Sequence, residues 1–213
     1  MFTVSIHRSQ QIPFPIVSRV AIFVVAMACF ANAAGLSATD KDEGMAQLNR
    51  TRAMLMEATK DLSDAQWNFK PAPDKWSILE VLEHIVLTED ALRGNIVNNV
   101  LRAPVTNTSA AAKADDGTVL SAVSDRSTKA KAPAELVPTG RWSAKEAQAE
   151  FLKSRKRTLA LLQSRGDLRE HAVESPLGKN LDGYQWILLI SAHSERHTKQ
   201  ILEVKADAGF PED

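Results

Sequence analysis

The sequence predicts an all-α protein, a four-helix bundle with a long loop between its second and third helices. Four segments repeat apolar residues at helical spacing, and three of them begin with a polar pair that can cap the first turn. No segment shows the apolar–polar alternation of a convincing strand. The chain has 213 residues, of which 44% are hydrophobic, so it can bury the core of one domain.

Residues 1–33 are typical of a secretory signal peptide. They contain Arg8 and Arg19 but no acidic residue, then an apolar run over 20–30 and the cleavage sequence Ala31-Asn32-Ala33. The run is too short to span a bilayer, which requires about 20 residues. We expect an exported protein, periplasmic or secreted, that is cleaved near Ala33 and has no stable membrane span when mature. Acylation of Cys29 and an uncleaved amphipathic anchor are the alternatives.

The charge balance gives no reason to expect a nucleic acid partner. The chain carries 26 basic and 26 acidic residues, and removing residues 1–33 leaves a slightly acidic remainder. Its single cysteine, Cys29, lies in the segment that we expect to be removed. The mature protein would then have no disulfide, no thiolate nucleophile and no cysteine metal ligand.

The first helix is expected over residues 41–62 and the second from Ser77 onward. Ser77 and Glu80 form a capping box, and the apolar stripe that follows extends to residue 100. His84 flanks this stripe, where a lone histidine is more often a hydrogen-bonded boundary residue than a metal ligand. Glu80 lies one turn before His84, so it could orient that imidazole, although capping is the simpler explanation.

Residues 103–140 are rich in Ala, Ser, Thr, Lys and Pro and show little periodicity. We expect a long flexible insertion here, or a segment that covers a site. A third helix begins at the capping pair Ser143 and Glu146 and ends near residue 166, with the basic run 153–157 on its solvated face. His171, in the linker 167–181, is expected in a surface loop without a role in a site.

The fourth helix begins at Asp182 and Gln185 and carries two histidines on its apolar face. His193 and His197 are four residues apart, so their Cβ atoms lie on one face about 6 Å apart. They belong to a stripe at core spacing: Trp186, Ile190, His193, His197, Ile201 and Val204. Burying two imidazoles without partners costs about a few kcal/mol, so a shared metal ion would explain their position.

His84 would complete a set of three imidazoles if the bundle brings its helix beside His193 and His197. Three protein ligands leave a position open to water or substrate, whereas a structural zinc site is closed by a fourth. We expect a divalent transition metal, zinc or nickel first, although iron and copper also accept imidazole. In the zinc-peptidase motif a glutamate that acts as general base follows the first histidine directly. Here Glu195 comes two residues after His193 and is turned about 200° away from it around the helix, so the motif does not indicate a peptidase.

Two motifs together resemble the DinB-like family. The stretch 73–85, Pro-Asp-Lys-Trp-Ser followed by His84, resembles the start of that family's second helix, and residues 193–201 resemble its closing His-x-x-x-His helix. The likeness covers residues 45–205. It implies a DinB-like domain over 41–208 with an up-down-down-up topology, often dimeric, that binds a divalent metal through His84, His193 and His197.

The sequence alone is compatible with several functions. Some members of the DinB-like family are thiol-dependent transferases in which the metal activates the thiol, and many others have no known activity. We expect a metal-dependent enzyme of the hydrolase or thiol S-transferase type acting on a small-molecule substrate. The alternatives are a non-catalytic metal-binding or stress-related envelope protein with a structural metal, and an interaction bundle without metal. A fourth protein ligand, with His171 as the candidate, would favour the structural role.

Overall fold

The computed structural model describes residues 1–3, 35–106 and 109–212, with the side chains of the last range described from residue 115 onward. The chain divides into two compact units, Met1–Ala31 and Asn32–Asp213, and the helices below belong to the second. The predicted cleavage sequence, its apolar run and Cys29 lie outside the described residues.

The secondary structure of the second unit is mainly helical. No helix within the described ranges is long and apolar enough to cross a membrane. Short 3₁₀ turns also occur at Val100–Arg102 and Ala134–Leu136. The α-helices are α1 (Ala38–Ala58), α2 (Asp64–Asn68), α3 (Ile78–Asn98), α4 (Ser109–Ser124), α5 (Ala144–Ser164) and α6 (Gly183–Lys205).

Helices α1, α3, α5 and α6 form the bundle, and its two core clusters give the direction of each helix. One cluster contains Leu48, Ile96, Leu162 and Ile187, and the other contains Leu55, Ile85, Phe151 and Ile201. Along the chain, α1 and α6 run from the first cluster to the second, whereas α3 and α5 run from the second to the first. The predicted all-α bundle and its up-down-down-up topology are therefore confirmed.

The helix starts follow the predicted capping pairs. Ser77, Ser143 and Asp182 each accept a hydrogen bond from the backbone amide three residues later, and each box is reciprocal. The prediction for the first helix is wrong at both ends, because Ser37 caps α1 at Ala38 and the helix ends at Ala58. Asp61 then adopts the left-handed conformation (φ 51°), which interrupts the helical path before residue 62.

The expected loop over 103–140 is wrong in part, because it contains α4. This helix packs along α6 with Val119 buried. Two ion pairs fix it: Asp116 in the middle of the helix pairs with Arg169 at 2.5 Å, and Arg126 just beyond its C-terminus pairs with Glu203 at 2.6 Å. Small residues with few apolar positions give no wide apolar stripe, so periodicity does not reveal this helix.

The linker before α6 contains a β-hairpin that the sequence did not predict. Strands β1 (Ala172–Glu174) and β2 (Asn180–Asp182) pair antiparallel, with Val173 opposite Leu181. Gly178 turns between them at φ 68°, a conformation that favours glycine. Strands of three residues are too short to show alternation, so the sequence gives no signal for this hairpin.

The basic run of α5 is not wholly solvated as expected, because Arg155 is fully buried. Its guanidinium pairs with Glu89 of α3 at 2.9 Å and donates to the Leu48 carbonyl of α1 at 2.6 Å. It also donates to Ser194 of α6 at 2.8 Å. Arg155 thus joins all four bundle helices through one buried charge.

Candidate metal centre

The bundle brings His84 of α3 against His193 and His197 of α6. The ring centroids are 5.1 Å apart for His84 and His193, 4.6 Å for His84 and His197, and 4.4 Å for His193 and His197. One nitrogen from each ring lies within 4.8 Å of the other two. No further His, Cys, Asp or Glu from the described residues belongs to this group. His171 lies elsewhere, with Nδ1 2.6 Å from the Ala103 carbonyl oxygen.

Burial keeps the three imidazoles in the neutral form that binds metals. His84 and His197 are buried and His193 is partly buried. Burial lowers the pKa of His84 below its usual value, and burial together with the neighbouring His197 and His84 lowers the pKa of His193 well below it. Burial, with His84 nearby, lowers the pKa of His197 to about 3. Protons therefore compete weakly for these nitrogens near neutral pH.

A backbone carbonyl fixes the tautomer of His84. Nδ1 of His84 lies 2.8 Å from the carbonyl oxygen of Leu136, in the 3₁₀ turn that follows α4. Because a carbonyl oxygen can only accept a hydrogen bond, Nδ1 carries the proton. The lone pair of His84 is then on Nε2, the nitrogen that remains available to a metal.

Gln200 performs the same function for His197. Nδ1 of His197 lies 2.8 Å from Oε1 of Gln200, and the Arg126 guanidinium donates to the same atom at 3.4 Å. Since arginine only donates, the amide atom that faces both groups is the oxygen, and Nδ1 of His197 is its donor. Glu203 holds Arg126 in turn at 2.6 Å. The lone pair of His197 therefore also lies on Nε2.

The segment that supplies the Leu136 carbonyl is anchored by Glu83, the residue before His84. The buried Glu83 carboxylate accepts hydrogen bonds from the amides of Thr139, Gly140 and Arg141 at 2.8, 2.9 and 3.3 Å. Burial alone would raise the pKa of Glu83, but these amides and the Arg141 guanidinium together hold that pKa below its usual value. Adjacent residues of α3 thus carry the candidate ligand and the anchor of the segment that orients it.

Trp76 covers His84 from the side of the α3 N-terminus. Its ring is 4.9 Å from the His84 ring, and it remains partly exposed. Trp67, which like Trp76 lies between α1 and α3, is buried in the core cluster that contains Leu55. Trp67 therefore covers the core, and Trp76 lies at the edge of the histidine group.

The three histidines fit a divalent transition metal. Around a tetrahedral ion with bonds of about 2.0–2.1 Å, ligand nitrogens are separated by about 3.4 Å, which small side-chain rotations can reach from the present spacing. The donor set is neutral imidazole, with Nε2 free on His84 and His197. Because no fourth side chain of a metal-binding type joins the group within the described residues, a metal there would keep positions for water or substrate.

The other candidates from the sequence have different roles. Glu80 accepts from the Ser77 amide at 2.8 Å and pairs with Lys70, so it caps α3 and does not orient His84. Glu195 pairs with Arg50 of α1 and with Lys199, away from the imidazoles, as its angle predicts. Sequence reasoning missed Gln200, whose spacing of three residues from His197 on a helix was the available indication.

Replacing Gln200 with alanine is expected to weaken metal binding without removing it. The variant loses the acceptor that fixes His197, and substitution of such orienting partners typically lowers metal affinity about 10- to 100-fold. Competition with a chelator measures the affinity. Gln163→Ala, on the exposed side of α5, is the matched control and should bind as the wild type does. Equal affinity in both variants would contradict the role of Gln200.

The metal-free protein is expected to lose stability as the pH falls below about 6.5. The unfolded chain binds protons there that the folded histidines exclude, so the free energy of unfolding falls by about 1.4 kcal/mol per pH unit for each histidine. The lowered carboxyl pKa values add their losses only at more acidic pH. Urea unfolding between pH 7 and 5 measures this slope, which His193→Gln should reduce. A flat profile over this range would contradict the burial of neutral imidazoles.

Comparison with known proteins identifies relatives of this fold and sequence. A model of the DinB superfamily matches residues 47–201. The chain is 29% identical over 163 residues to YuaE, an uncharacterized protein of Bacillus subtilis strain 168, covering 76% of this chain and 96% of YuaE. It is also similar in fold to YfiT from Bacillus subtilis, with a TM-score of 0.52 and 17% identity over 82% of this chain and 91% of YfiT.

The family match includes all three histidines of the candidate centre, and it covers most of the bundle from α1 to α6. The resemblance inferred from the two sequence motifs is therefore confirmed. The chain belongs to the DinB superfamily.

Proposed function

We propose that this protein is a metal-dependent hydrolase of a small molecule, with the metal held by His84, His193 and His197. The observation that carries the proposal is a group of three neutral imidazoles to which the described residues add no fourth ligand. Three protein ligands with an open position are the arrangement of catalytic zinc sites. Zinc or nickel are the ions that we propose, because imidazole suits both.

When bound, a divalent ion acts as a Lewis acid and lowers the pKa of a coordinated water to about 7. The chain's own residues prepare the site for that ion. The Leu136 carbonyl and Gln200 keep the Nδ1 protons of His84 and His197 in place and direct Nε2 of both rings toward the centre. Trp76 packs on His84 and limits the access of bulk water to one side of the ring.

Two considerations favour hydrolysis over thiol transfer. YfiT, which shares the fold, is described as a probable metal-dependent hydrolase with an unusual four-helix bundle topology. The proposal also includes export after cleavage near Ala33, and low-molecular-weight thiols are scarce outside the cytoplasm. N-terminal sequencing of the protein recovered from its native cells tests this location, since an uncleaved N-terminus would contradict it.

The test of the function is metal-dependent turnover by the protein purified without a histidine tag. We expect hydrolysis of at least one substrate in a panel of esters, amides and lactones, loss of that activity on chelation, and recovery on adding zinc or nickel. His193→Ala should be inactive under all three conditions. A bound metal that raises the melting temperature with no hydrolysis in the panel would favour the structural alternative. A protein that binds no metal would overturn the proposal.

A further inference from the structure

Thr88 of α3 carries a buried hydroxyl that the protein itself does not satisfy. The residue is 5% exposed, and its Oγ1 has no hydrogen-bond partner among the residues that the structure describes. An unsatisfied buried hydroxyl is unfavourable, and buried polar groups of this kind are usually paired. Thr88 lies one turn after His84, on the helix that supplies one of the three candidate ligands.

The other buried helical threonines show that this state is avoidable. Thr51 and Thr198 each donate to the carbonyl oxygen four residues earlier, at 3.2 and 2.8 Å, and Thr158 donates to the Glu89 carboxylate at 2.7 Å. Thr88 could donate in the same way to the carbonyl of His84, as threonines in helices commonly do. It does not, so this hydroxyl remains available to a group other than its own helix.

The neighbours of Thr88 on α3, His84 and Glu89, each contact other helices of the bundle. On one side, the His84 ring lies 5.1 Å from the His193 ring. On the other side, Glu89 pairs with Arg155, which donates to Ser194 at 2.8 Å. Along α3, Thr88 lies between His84 and Glu89, and it is turned about 40° from His84 around the helix axis. It therefore lies on nearly the same face of α3 as His84, one turn closer to the buried pair of Glu89 and Arg155.

We propose that the Thr88 hydroxyl binds the water or substrate oxygen held at the three-histidine centre. A hydroxyl both donates and accepts, so it can bond a water and also the substrate oxygen that replaces it. The proposal explains why Thr88, unlike these three threonines, has no hydrogen-bond partner among the described residues. It rests on the proposed function for the presence of the metal, and it adds a residue that contacts the reacting group.

Cobalt affinity of Thr88→Val and Thr88→Ser tests the proposal without requiring a substrate. Valine keeps the shape of threonine and removes the hydroxyl, whereas serine keeps the hydroxyl. We expect Thr88→Val to bind cobalt about 3- to 10-fold more weakly, the effect of one lost hydrogen bond, and Thr88→Ser to bind as the wild type does. The metal-free melting temperature of Thr88→Val should equal or exceed that of the wild type, because an unsatisfied group has been removed.

Thr59→Val is the matched control, since the Thr59 hydroxyl, at the C-terminal cap of α1, already donates to the Leu55 carbonyl at 2.9 Å. It should lose thermal stability and retain full cobalt affinity. Wild-type affinity in Thr88→Val, or a fall in its metal-free melting temperature like that of Thr59→Val, would overturn the role of Thr88 and leave the proposed function standing. Absence of cobalt binding in the wild type would overturn both.

Discussion

Replacing His197 with alanine is expected to abolish stoichiometric metal binding. His197 supplies one of three candidate ligands, and its ring packs within 5 Å of both other rings. Losing a residue that only orients a ligand lowers metal affinity by up to about 100-fold. Losing the ligand itself leaves two imidazoles, so the metal affinity of this variant should fall by more than that. Elemental analysis of the purified protein measures the loss, from about one equivalent of metal to none.

His171→Ala is the matched control for this prediction. His171 is bonded to the Ala103 carbonyl and lies outside the histidine group, so this variant should keep its full equivalent of metal. Retention of metal by both variants would contradict the assignment of three histidines. Loss of metal in both would indicate that His171 is a fourth ligand and would favour a closed, structural site.

The largest loss of stability is expected for Glu89→Ala. Arg155 and Glu89 are both buried, with exposed side-chain fractions of 0% and 1%. Removing the carboxylate leaves an uncompensated guanidinium inside the bundle, which typically costs about 3–5 kcal/mol. Thr158 also loses its acceptor, because its hydroxyl donates to Glu89 at 2.7 Å. Urea unfolding of the metal-free protein measures the change.

Two further variants test whether the loss of stability in Glu89→Ala comes from the unpaired buried charge. Lys153→Ala removes an exposed partner of Glu150 on the same helix and should cost at most about 1 kcal/mol. The double variant Glu89→Leu, Arg155→Met removes both charges and should be more stable than Glu89→Ala alone. If Glu89→Ala unfolds at the same urea concentration as Lys153→Ala, the buried pair does not support the bundle.

Much of the bundle could be predicted from the sequence because its determinants are local. Ser77 with Glu80 and Ser143 with Glu146 satisfy the first amides of their own helices, so the pattern is visible within four residues. Helix α4 could not be predicted in the same way. It is fixed by Asp116 and Arg126, whose partners Arg169 and Glu203 are distant in sequence.

The same distinction applies to the candidate site. His193 and His197 were recognisable because two histidines four residues apart replace apolar residues of a core stripe. The role of Arg155 was not, because a basic residue in a charged run is buried only when a distant carboxylate, Glu89, packs against it. The orienting carbonyl of Leu136 has no sequence indication at all, since every residue supplies a carbonyl.

The most direct test of the three-histidine centre is the position of the metal. Crystals of the protein grown with zinc should give one anomalous difference peak at about 2.0–2.1 Å from Nε2 of His84, Nε2 of His197 and a ring nitrogen of His193. Its remaining coordination should come from water or another small ligand. A fourth protein ligand would contradict the open site, and a peak away from these residues would contradict the centre itself.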